Sequence, residues 1–341
     1  MASLGLKVRR GEGEGFRRRL VEIGAFDRSR KIRTEGGDLY MPILELSCEA
    51  REELAGIGKF EVVEAEFQDE APKETVEGLL GHKPSFEVVG DVAILEDPNE
   101  VAAAAIMAVH RNVRAVISPL SAVEGEFRTR RFRPVAGEER TTTVHKEHGL
   151  RYRIDLERAY FTPRLGTERL RVAGLVRSGE AAFDMFAGVG PFALLIAKRG
   201  AKVVAVDKNP DAVRLLRENA RLNRIDEIVI MEADAADLAE RYENCADRII
   251  MNLPHSARDF LGVAMKIAKD GGVVHYYAIA PEDNLYARDT AFVEDAARDA
   301  GVEVEILRRG VVRSYAPHQY NIVIDFRVDK PPKEAEEATR L

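Results

Sequence analysis

The spacing of hydrophobic and polar residues divides the chain into three zones. The first zone has a helical period in EGFRRRLVEIGAF (14–26) and then a strand-like alternation in DLYMPIL (38–44). The second zone predicts three strands around one helix, in FEVVEAEF (60–67), FEVVGDVAILE (86–96), NEVAAAAIMAVHRN (99–112, the helix) and VRAVISPL (113–120). An alternation of this size predicts a small α+β domain of the ferredoxin-like kind.

From Asp155 onward, apolar strands and amphipathic helices alternate regularly. Strands are predicted in AAFDMF, KVVAVD, EIVIMEAD, DRIIMNL and GGVVHYYAIA, with helices such as PFALLIAKRG and PDAVRLLRENARLN between them. The stretch 302–328 predicts two long strands that pair as a hairpin. We therefore predict an α/β protein with three domains: a small basic N-terminal domain (1–58), a ferredoxin-like α+β domain (62–153) and a Rossmann-like domain (156–341).

The amino-acid composition indicates the class of protein and the cellular compartment. Hydrophobic residues make up 45% and charged residues 32% of the 341, which is typical of a soluble protein with two or three domains. The longest apolar runs fall short of the roughly 18 residues that a membrane span requires, and the N-terminus lacks the apolar core of a signal peptide. We therefore expect a cytoplasmic protein without membrane attachment.

Charge is distributed unevenly along the chain. The net charge is −7, yet residues 1–34 carry ten Lys/Arg against four Asp/Glu, and residues 128–153 carry eight Lys/Arg against three Glu. An acidic protein with two basic segments can bind a polyanion through them, although such segments are as often solvated surface. The candidate nucleic-acid contacts are the following arginines: Arg17, Arg18, Arg19, Arg130 and Arg131.

Candidate chemistry concentrates at the ends of predicted strands. Four consecutive strands end in a carboxylate or an amide: Asp184, Asp207, Asp234 and Asn252. Ligands of open parallel sheets bind beyond the carboxyl ends of strands, where Asp207 can accept hydrogen bonds from ribose hydroxyls and Asp234 from an exocyclic amine. Gly188 and Gly190, in the loop after the first strand, allow a sharp turn and the close approach of a ligand. The pattern predicts a nucleoside-containing cofactor.

The loop DMFAGVGPF (184–192) distinguishes between two such cofactors. A nicotinamide dinucleotide favours a third glycine beside its pyrophosphate, but Phe192 and Ala193 occupy that part of the sequence. S-adenosylmethionine carries no phosphate, and the loop, with Phe186, resembles the D-x-F/G-x-G-x-G loop of class I methyltransferases. The terminal hairpin also fits their sheet, in which the last-added strand runs antiparallel. The resemblance implies S-adenosylmethionine as cofactor, and the chemistry requires no metal.

Further stretches narrow the resemblance to one family. LGLKVRRGEGEGFRRRLVEIGAFDRSRKIRTEGGDLYMPI (4–43), SFEVVGDVAIL (85–95), YFTPRLGTERLRV (160–172) and NLP (252–254) together resemble the archaeal and eukaryal tRNA guanine-N1 methyltransferases that act at position 37. The resemblance covers nearly the whole chain. It implies an N-terminal domain that binds the outer corner of tRNA, a ferredoxin-like middle domain and a class I methyltransferase domain. We expect tRNA as the partner and a monomeric enzyme.

The resemblance also implies roles for single residues. Glu168 matches the family's general base, Arg128 the arginine that steadies the guanine, and Asn252 the asparagine near both the cofactor and the target base. Tyr160 and Arg164 match positions that flank the active site, and Arg164 is also expected to contact the tRNA. Cofactor contacts are expected at Arg169, Asp184, Phe186, Gly188, Gly190, Asp207, Lys208, Asp234 and Ala235.

The chemistry of guanine agrees with these roles. Its N1 carries a proton and is a poor nucleophile until a base such as Glu168 removes that proton. Negative charge then builds on O6, and Arg128 can offer it charge-assisted donors in a fixed geometry. Since a base in an RNA loop must be flipped out to react, Tyr160 is a plausible stacking partner.

Structural roles remain open for several of these residues. Glu168 could form a surface ion pair with Arg169 at the start of a helix, and Asn252 could cap the helix that follows it. Arg128 lies in an arginine-rich run, where any member could contact a phosphate. HKEH (145–148) has two histidines but no third ligand nearby, which favours a polar turn or an RNA contact over a zinc site. His255 has no assigned role.

Three other functions compete with guanine-N1 methylation. The wybutosine-pathway aminocarboxypropyl transferases resemble this family and use the same cofactor, but they typically lack the N-L-P motif found at 252–254. A bifunctional member would also methylate a tricyclic guanosine intermediate. A tRNA-binding factor with a vestigial cofactor fold is the third alternative, and the intact acidic strand ends argue against it.

Overall fold

The computed structural model describes residues 2–70, 74–121 and 125–331, and the chain forms two compact units, Met1–Thr75 and Val76–Leu341. The α/β fold class predicted from the sequence is confirmed. Among the described residues, no helix is long and apolar enough to cross a membrane.

The N-terminal unit is a four-stranded antiparallel sheet with two helices. Its elements are β1 (Ala2–Arg9), α1 (Gly13–Glu22), β2 (Arg33–Glu35), β3 (Asp38–Pro42), α2 (Cys48–Ala55) and β4 (Glu61–Glu66). The strand order is β2-β3-β1-β4. Helix α1 buries Phe16 and Leu20 in a core with Leu6 of β1 and Met41 of β3, so the predicted amphipathic helix and strand are both present.

The stretch FEVVEAEF (60–67) belongs to this N-terminal unit, so its predicted place at the start of the middle domain is wrong. Its strand β4 pairs antiparallel with β1, from Ala2 opposite Glu66 to Lys7 opposite Glu61. β1 is an inner strand between β3 and β4, and a strand pattern alone cannot reveal that β4 pairs with a strand so distant in sequence. The second compact unit therefore begins at Val76.

The first part of the second unit is a smaller mixed sheet. Its elements are α3 (Val76–Leu80), β5 (Phe86–Val89), β6 (Val92–Leu95), α4 (Glu100–Val109), β7 (Ala115–Pro119) and β8 (Phe132–Gly137). The strand order is sequential, β5-β6-β7-β8, and the described residues contain one parallel crossover, β6-α4-β7. The predicted α+β character is present, but the order differs from the β-α-β-β-α-β arrangement of a ferredoxin-like sheet.

A hairpin joins this sheet to the next part of the chain. It consists of β9 (Thr142–Glu147) and β10 (Leu150–Asp155), and it contains the HKEH sequence. Tyr152 and Ile154 of β10 are fully buried in the same core cluster as Phe192 and Leu216. The hairpin therefore packs with the predicted Rossmann-like domain, although the sequence boundary assigned most of it to the middle domain.

The rest of the second unit is a seven-stranded sheet with helices. The elements are α5 (Gly166–Leu175), β11 (Ala181–Asp184), α6 (Ala193–Ala197), β12 (Lys202–Asp207), α7 (Pro210–Leu222), β13 (Ile228–Glu232), β14 (Ala246–Met251), α8 (Leu261–Ile267), β15 (Ala268–Pro281), α9 (Ala287–Ala300), β16 (Glu303–Ala316) and β17 (Gln319–Asp329). The strand order is β13-β12-β11-β14-β15-β17-β16.

Strand direction fits the sequence prediction closely. Strands β11 to β15 run parallel, and β17 is inserted antiparallel between β15 and β16, so the predicted terminal hairpin is present. The chain runs outward from β11 to β13 and then returns to place β14 on the other side of β11. This reversal opens a crevice at the carboxyl ends of β11 and β14, where open α/β sheets bind their ligands.

Candidate active site

A cavity lies at the carboxyl ends of the parallel strands. It draws residues from the loop after β11, from the ends of β12, β13 and β14, and from the terminal hairpin. Ten of the residues singled out from the sequence line it: Arg128, Tyr160, Arg169, Phe186, Gly188, Asp207, Lys208, Asp234, Ala235 and Asn252. Glu168, Asp184 and Gly190 are not among its lining residues.

The loop after β11 is held by its two glycines. Gly188 has φ 55° and Gly190 has φ 93°, conformations that L side chains rarely adopt. A Cβ atom on Gly190 would lie 2.2 Å from Cδ1 of Leu216, so this glycine is required for packing of the loop against α7. At Gly188 the nearest atom would be 3.9 Å away, so its backbone faces open space along the cavity.

Asp207 connects the glycine loop to the end of β12. Its carboxylate accepts hydrogen bonds from the backbone N–H groups of Gly188, at 2.6 Å, and Asn209, at 2.9 Å. Burial raises the pKa of Asp207, although these hydrogen bonds oppose the rise. Because a carboxylate has about four acceptor sites, Asp207 can still accept from a ligand. Asp234, at the end of β13, caps a short 3₁₀ turn through Ala236 N–H at 2.9 Å.

Asp184 lies under the loop and is 1% exposed. Its Oδ1 accepts a hydrogen bond from Phe186 N–H at 3.4 Å, and its Oδ2 has no partner among the described residues. Burial raises the pKa of Asp184 to about 7. Asp184 is therefore a buried group that does not line the cavity.

Asn252 follows β14 directly and is not a helix cap. The 3₁₀ turn after it spans Ala257–Phe260 with Ser256 at the cap position, which makes no side-chain cap bond. The Oδ1 atom of Asn252 is buried and accepts no hydrogen bond from the part of the chain that the structure describes. A buried polar atom without a partner is costly in a folded protein, so this oxygen is suited to a ligand.

Arg128 and Tyr160 lie together at the rim. The Arg128 guanidinium lies 5.5 Å above the centre of the Tyr160 ring. Arg128 has φ 53°, a left-handed conformation that costs free energy for a residue with a side chain and occurs preferentially at functional sites. Within the described residues, Arg128 forms no ion pair.

A second cavity adjoins the first, and the residues that line both include Arg128, Tyr160, Arg313 and Tyr315. Four arginines line this arginine cavity: Arg128, Arg130, Arg164 and Arg313. Arg130 pairs with Glu96 at 3.3 Å and Arg164 with Glu87 at 3.0 Å.

Glu168 is buried in a network rather than lining the cavity. It is 7% exposed, and its two oxygens accept hydrogen bonds from Arg171 at 2.7 and 2.8 Å. The Tyr277 hydroxyl donates to Oε1 at 2.8 Å. Arg171 continues the network to Asp325 at 2.8 Å. The considered surface pair between Glu168 and Arg169 is therefore wrong, because Glu168 pairs with Arg171 in the interior.

Arg169 and the HKEH hairpin form a separate ion-pair network. Arg169 is 2% exposed and donates to Glu147 at 2.6 and 2.7 Å and to the Thr162 carbonyl oxygen at 3.1 Å. Burial raises the pKa of Glu147, but hydrogen bonds from His145 and Arg169 outweigh it and lower the pKa to about 2. His148 contacts the Gly166 carbonyl oxygen at 2.8 Å. His145, Glu147 and His148 of the HKEH sequence thus have structural partners.

The candidate arginines of α1 lie in the N-terminal unit, and each is in an exposed ion pair. Arg17 pairs with Glu14, Arg18 with Glu22, and Arg19 with Glu22 and Glu53. Arg131 is exposed next to the arginine cavity but does not line it. Exposed pairs are weak, so these arginines can exchange partners at low cost.

Sequence reasoning missed the contribution of the terminal hairpin. Arg313, Tyr315 and Asn321 line the first cavity, together with His255. The Tyr315 hydroxyl lies 3.3 Å from Nε2 of His255, which gives His255 a structural partner. Arg313 and Tyr315 are two positions apart in one strand, so their period-two spacing was the available signal.

The fold and the site together define a class I methyltransferase, with the glycine loop, the acidic strand ends and the antiparallel seventh strand in their usual places. Residues 143–306 match the TRM5/TYW2 methyltransferase domain, and residues 5–50 match the tRNA methyltransferase 5 N-terminal domain. The chain belongs to the TRM5/TYW2 family.

Its relatives are enzymes named for different reactions at position 37 of tRNA, among them guanine-N1 methylation, aminocarboxypropyl transfer and 4-demethylwyosine methylation. The chain is 42% identical to the tRNA (guanine(37)-N(1))-methyltransferase Trm5b of Pyrococcus abyssi over 96% of this chain and 99% of that protein, whose crystal structure superposes with a TM-score of 0.70. A structure of aTrm5 in complex with tRNALeu is 32% identical, covers 96% of this chain and 100% of that one, and has a TM-score of 0.67. The tRNA(Phe) (4-demethylwyosine(37)-C(7)) aminocarboxypropyltransferase of Pyrococcus horikoshii is 33% identical over 76% of this chain and 94% of that protein.

Proposed function

We propose that this protein transfers the methyl group of S-adenosylmethionine to N1 of the guanosine at position 37 of tRNA. The observation that carries the proposal is Asn252 of the N-L-P motif at the end of β14, whose buried amide oxygen has no hydrogen-bond partner among the described residues. The likeness to a guanine(37)-N1 methyltransferase along 96% of the chain supports it. The aminocarboxypropyl transferase matches a smaller part of the chain at lower identity.

The residues at the strand ends fit S-adenosylmethionine. The open face of Gly188 leaves room for a ligand against the backbone, and Asp207 has acceptor capacity for ribose hydroxyls. Asp234 would accept from the adenine amine, beside Ala235 and Lys208. Phe186 and Phe260 pack edge to face at 5.0 Å and form an apolar wall. When bound, the cofactor supplies an electrophilic methyl group on a sulfonium.

Arg128, Tyr160 and Asn252 would position the guanine. Tyr160 is 41% exposed, so its ring is available for a flipped base to stack on. The Arg128 guanidinium would donate to O6 as negative charge develops there. The amide of Asn252 can accept and donate at once, which suits a position between the base and the reacting methyl group.

Glu168 would act as the general base for the N1 proton. Its carboxylate is held by Arg171 and Tyr277 and is not among the residues that line the cavity. To accept a proton from guanine, the Glu168 carboxylate must therefore become accessible from the cavity when the base binds. Catalytic hydrogen bonds commonly tighten only when substrate binds, so the network is compatible with this role.

The test is to incubate the protein with unmodified tRNA and isotope-labelled S-adenosylmethionine, and then to analyse the nucleosides by mass. We expect a one-carbon gain on guanosine at position 37. An aminocarboxypropyl gain would replace the proposal with the second reaction. A tRNA carrying the tricyclic intermediate, used in parallel, tests the bifunctional alternative.

We also propose that the enzyme is a cytoplasmic monomer. Light scattering coupled to gel filtration, with and without tRNA, checks the oligomeric state: one chain per tRNA is expected, and a two-to-one complex would contradict it.

A further inference from the structure

Two neighbouring residues of the terminal hairpin carry buried polar atoms that have no hydrogen-bond partner in the described part of the chain. Arg313 of β16 and Asn321 of β17 are opposite each other in the register of the two strands. Asn321 is 2% exposed, and its Oδ1 accepts no hydrogen bond from the described residues. The Nε of Arg313 is likewise buried and makes no hydrogen bond within the described chain. Both residues line the first cavity.

Arg313 and Asn321 lie on the other side of the sheet from the acidic residues at the ends of β12 and β13. Asp207 and Asp234 follow β12 and β13, on one side of β11. Asn321 lies on the opposite side of the sheet, on β17, where it pairs with Ile279 of β15. A cofactor bound through the acidic strand ends therefore leaves the Arg313–Asn321 side of the cavity to the second substrate.

Arg313 also lines the arginine cavity, where its guanidinium lies 5.9 Å from the centre of the Tyr315 ring. It contacts the carbonyl oxygen of Ser314 at 3.3 Å and has no carboxylate partner in the described ranges. A guanidinium that reaches both cavities can bind a phosphate next to a base held in the first one.

We propose that Asn321 and Arg313 form a recognition site for the target nucleotide, in which Asn321 Oδ1 accepts a hydrogen bond from the exocyclic 2-amino group of guanine and Arg313 donates to a phosphate oxygen of the same RNA strand. This inference rests on the proposed function. Guanine N1 must face the methyl group and O6 faces Arg128, so the 2-amino group, on the other side of N1, is the donor that remains.

The same donor and acceptor pair could instead hold the carboxylate and ammonium of the cofactor's amino-acid part. The two sources are separated by measuring cofactor affinity by itself. The experiment uses the full chain with two transcripts that differ at position 37, one with guanosine and one with inosine, which lacks the 2-amino group. Formation of the N1-methylated nucleoside is followed under single-turnover conditions.

For the wild type we expect a kcat/KM about tenfold or more higher on guanosine than on inosine, because inosine leaves the buried Asn321 oxygen unpaired. Asn321→Leu should lower kcat/KM on guanosine by a similar factor, bring the two substrates to near equality and leave the Kd of S-adenosylmethionine within twofold. Arg313→Gln should weaken both substrates alike and reduce the salt slope of tRNA binding by about one. Gln319→Ala, an exposed position at the tip of the same hairpin, is the matched control.

Equal rates on guanosine and inosine with the wild type would overturn the inference, even if Asn321→Leu fails to fold. A retained preference for guanosine over inosine in Asn321→Leu would also overturn the inference. The same holds if the variants lose only affinity for S-adenosylmethionine. These outcomes differ from failure of the proposed function, in which the wild type forms no 1-methylguanosine on the guanosine transcript and both proposals fall together.

Discussion

At the scale of single residues, the buried network around Glu168 places the proposed base among strong partners. Arg171 contacts both Glu168 and Asp325, and Tyr277 donates to Glu168 from a fully buried position. Burial raises the pKa of Tyr277 well above its usual range, so this hydroxyl remains a donor. The network keeps the Glu168 carboxylate supplied with hydrogen bonds until a substrate competes for it.

Glu168→Gln should therefore slow methyl transfer while cofactor binding stays intact. The amide cannot take up the N1 proton, and loss of a general base typically costs about 10²- to 10⁴-fold in rate. Single-turnover kinetics and equilibrium dialysis with S-adenosylmethionine separate the two effects. Glu227→Gln, an exposed change on the same unit, serves as the control. A wild-type rate in Glu168→Gln would move the base role to another group.

We expect the buried carboxyl group of Asp184 to make the stability of the folded protein depend on pH. Burial raises the pKa of Asp184 in the folded state from an ordinary 3.8 to about 7. Between these two pH values the folded state therefore holds a proton that the unfolded state has released. Its contribution to stability is fully present below about pH 3.8 and is lost as the pH rises through 7. We expect Asp184→Asn, without cofactor, to have a higher Tm than the wild type at pH 8 and a similar Tm at pH 4. Equal Tm differences at the two pH values would show that Asp184 titrates normally.

At the scale of elements, two asparagines at the C-terminal end of α7 bind the β9–β10 hairpin, and one of them, Asn219, also binds the glycine loop. Asn219 is fully buried; it accepts from Arg153 N–H at 2.6 Å and donates to the carbonyl oxygens of Arg153 and Val189 at 3.0 Å. Asn223 makes the same pair of bonds to the backbone of Arg151 at 2.8 and 2.6 Å. The two side-chain amides thus make hydrogen bonds to the backbone of β10 like those of a neighbouring strand.

Asn219→Leu should lower the free energy of unfolding by about 2–4 kcal/mol, because it removes the partner of the buried Val189 carbonyl group and of the Arg153 backbone groups. Since Val189 belongs to the glycine loop, cofactor affinity should fall too. Urea titration and cofactor binding measure the two effects. Asn223→Ala, at the more exposed end, is the matched control with an expected cost of about 1 kcal/mol. Equal losses in both variants would contradict a special role for the hydrogen bond to the loop.

The sequence predicted the parallel strands well because their apolar runs are buried on both faces, as Ile249, Ile250 and Met251 are. It also placed Asp207, Asp234 and Asn252 at one edge of the sheet, since the carboxyl ends of parallel strands meet there. It could not reveal the buried network around Glu168, because Tyr277 lies 109 positions from Glu168 and Asp325 lies 154 positions from Arg171. Long-range contacts of this kind leave no local pattern.

At the scale of the whole molecule, we expect the two compact units to have different roles. The N-terminal unit would contribute to tRNA binding, and the second unit contains the candidate active site. The basic segment 1–34 includes β1, which pairs with both β3 and β4, so deleting it alone would break the N-terminal sheet. The informative truncation begins at Val76, where the second compact unit starts.

We expect the variant that starts at Val76 to bind S-adenosylmethionine as the full chain does, but to bind tRNA more weakly and with a shallower salt dependence. The slope should fall by roughly one for each tRNA phosphate that the N-terminal unit neutralises in the full chain. Filter binding of tRNA between about 50 and 200 mM salt checks this. An unchanged slope would place the electrostatic interactions with tRNA entirely in the second unit.

The terminal hairpin that supplies Arg313 and Asn321 also forms one edge of the seven-stranded sheet. In the described residues, β16 pairs with β17 alone, so the outer backbone edge of a 14-residue strand faces outward. A flat edge of this length would be a template for cross-chain β-pairing and aggregation. The register of β16 shifts at three points, between Ile306 and Arg308, Val311 and Arg313, and Ser314 and Ala316. Such bulges bend and twist an edge, so the irregularity that brings Arg313 opposite Asn321 also protects the solubility of the folded chain.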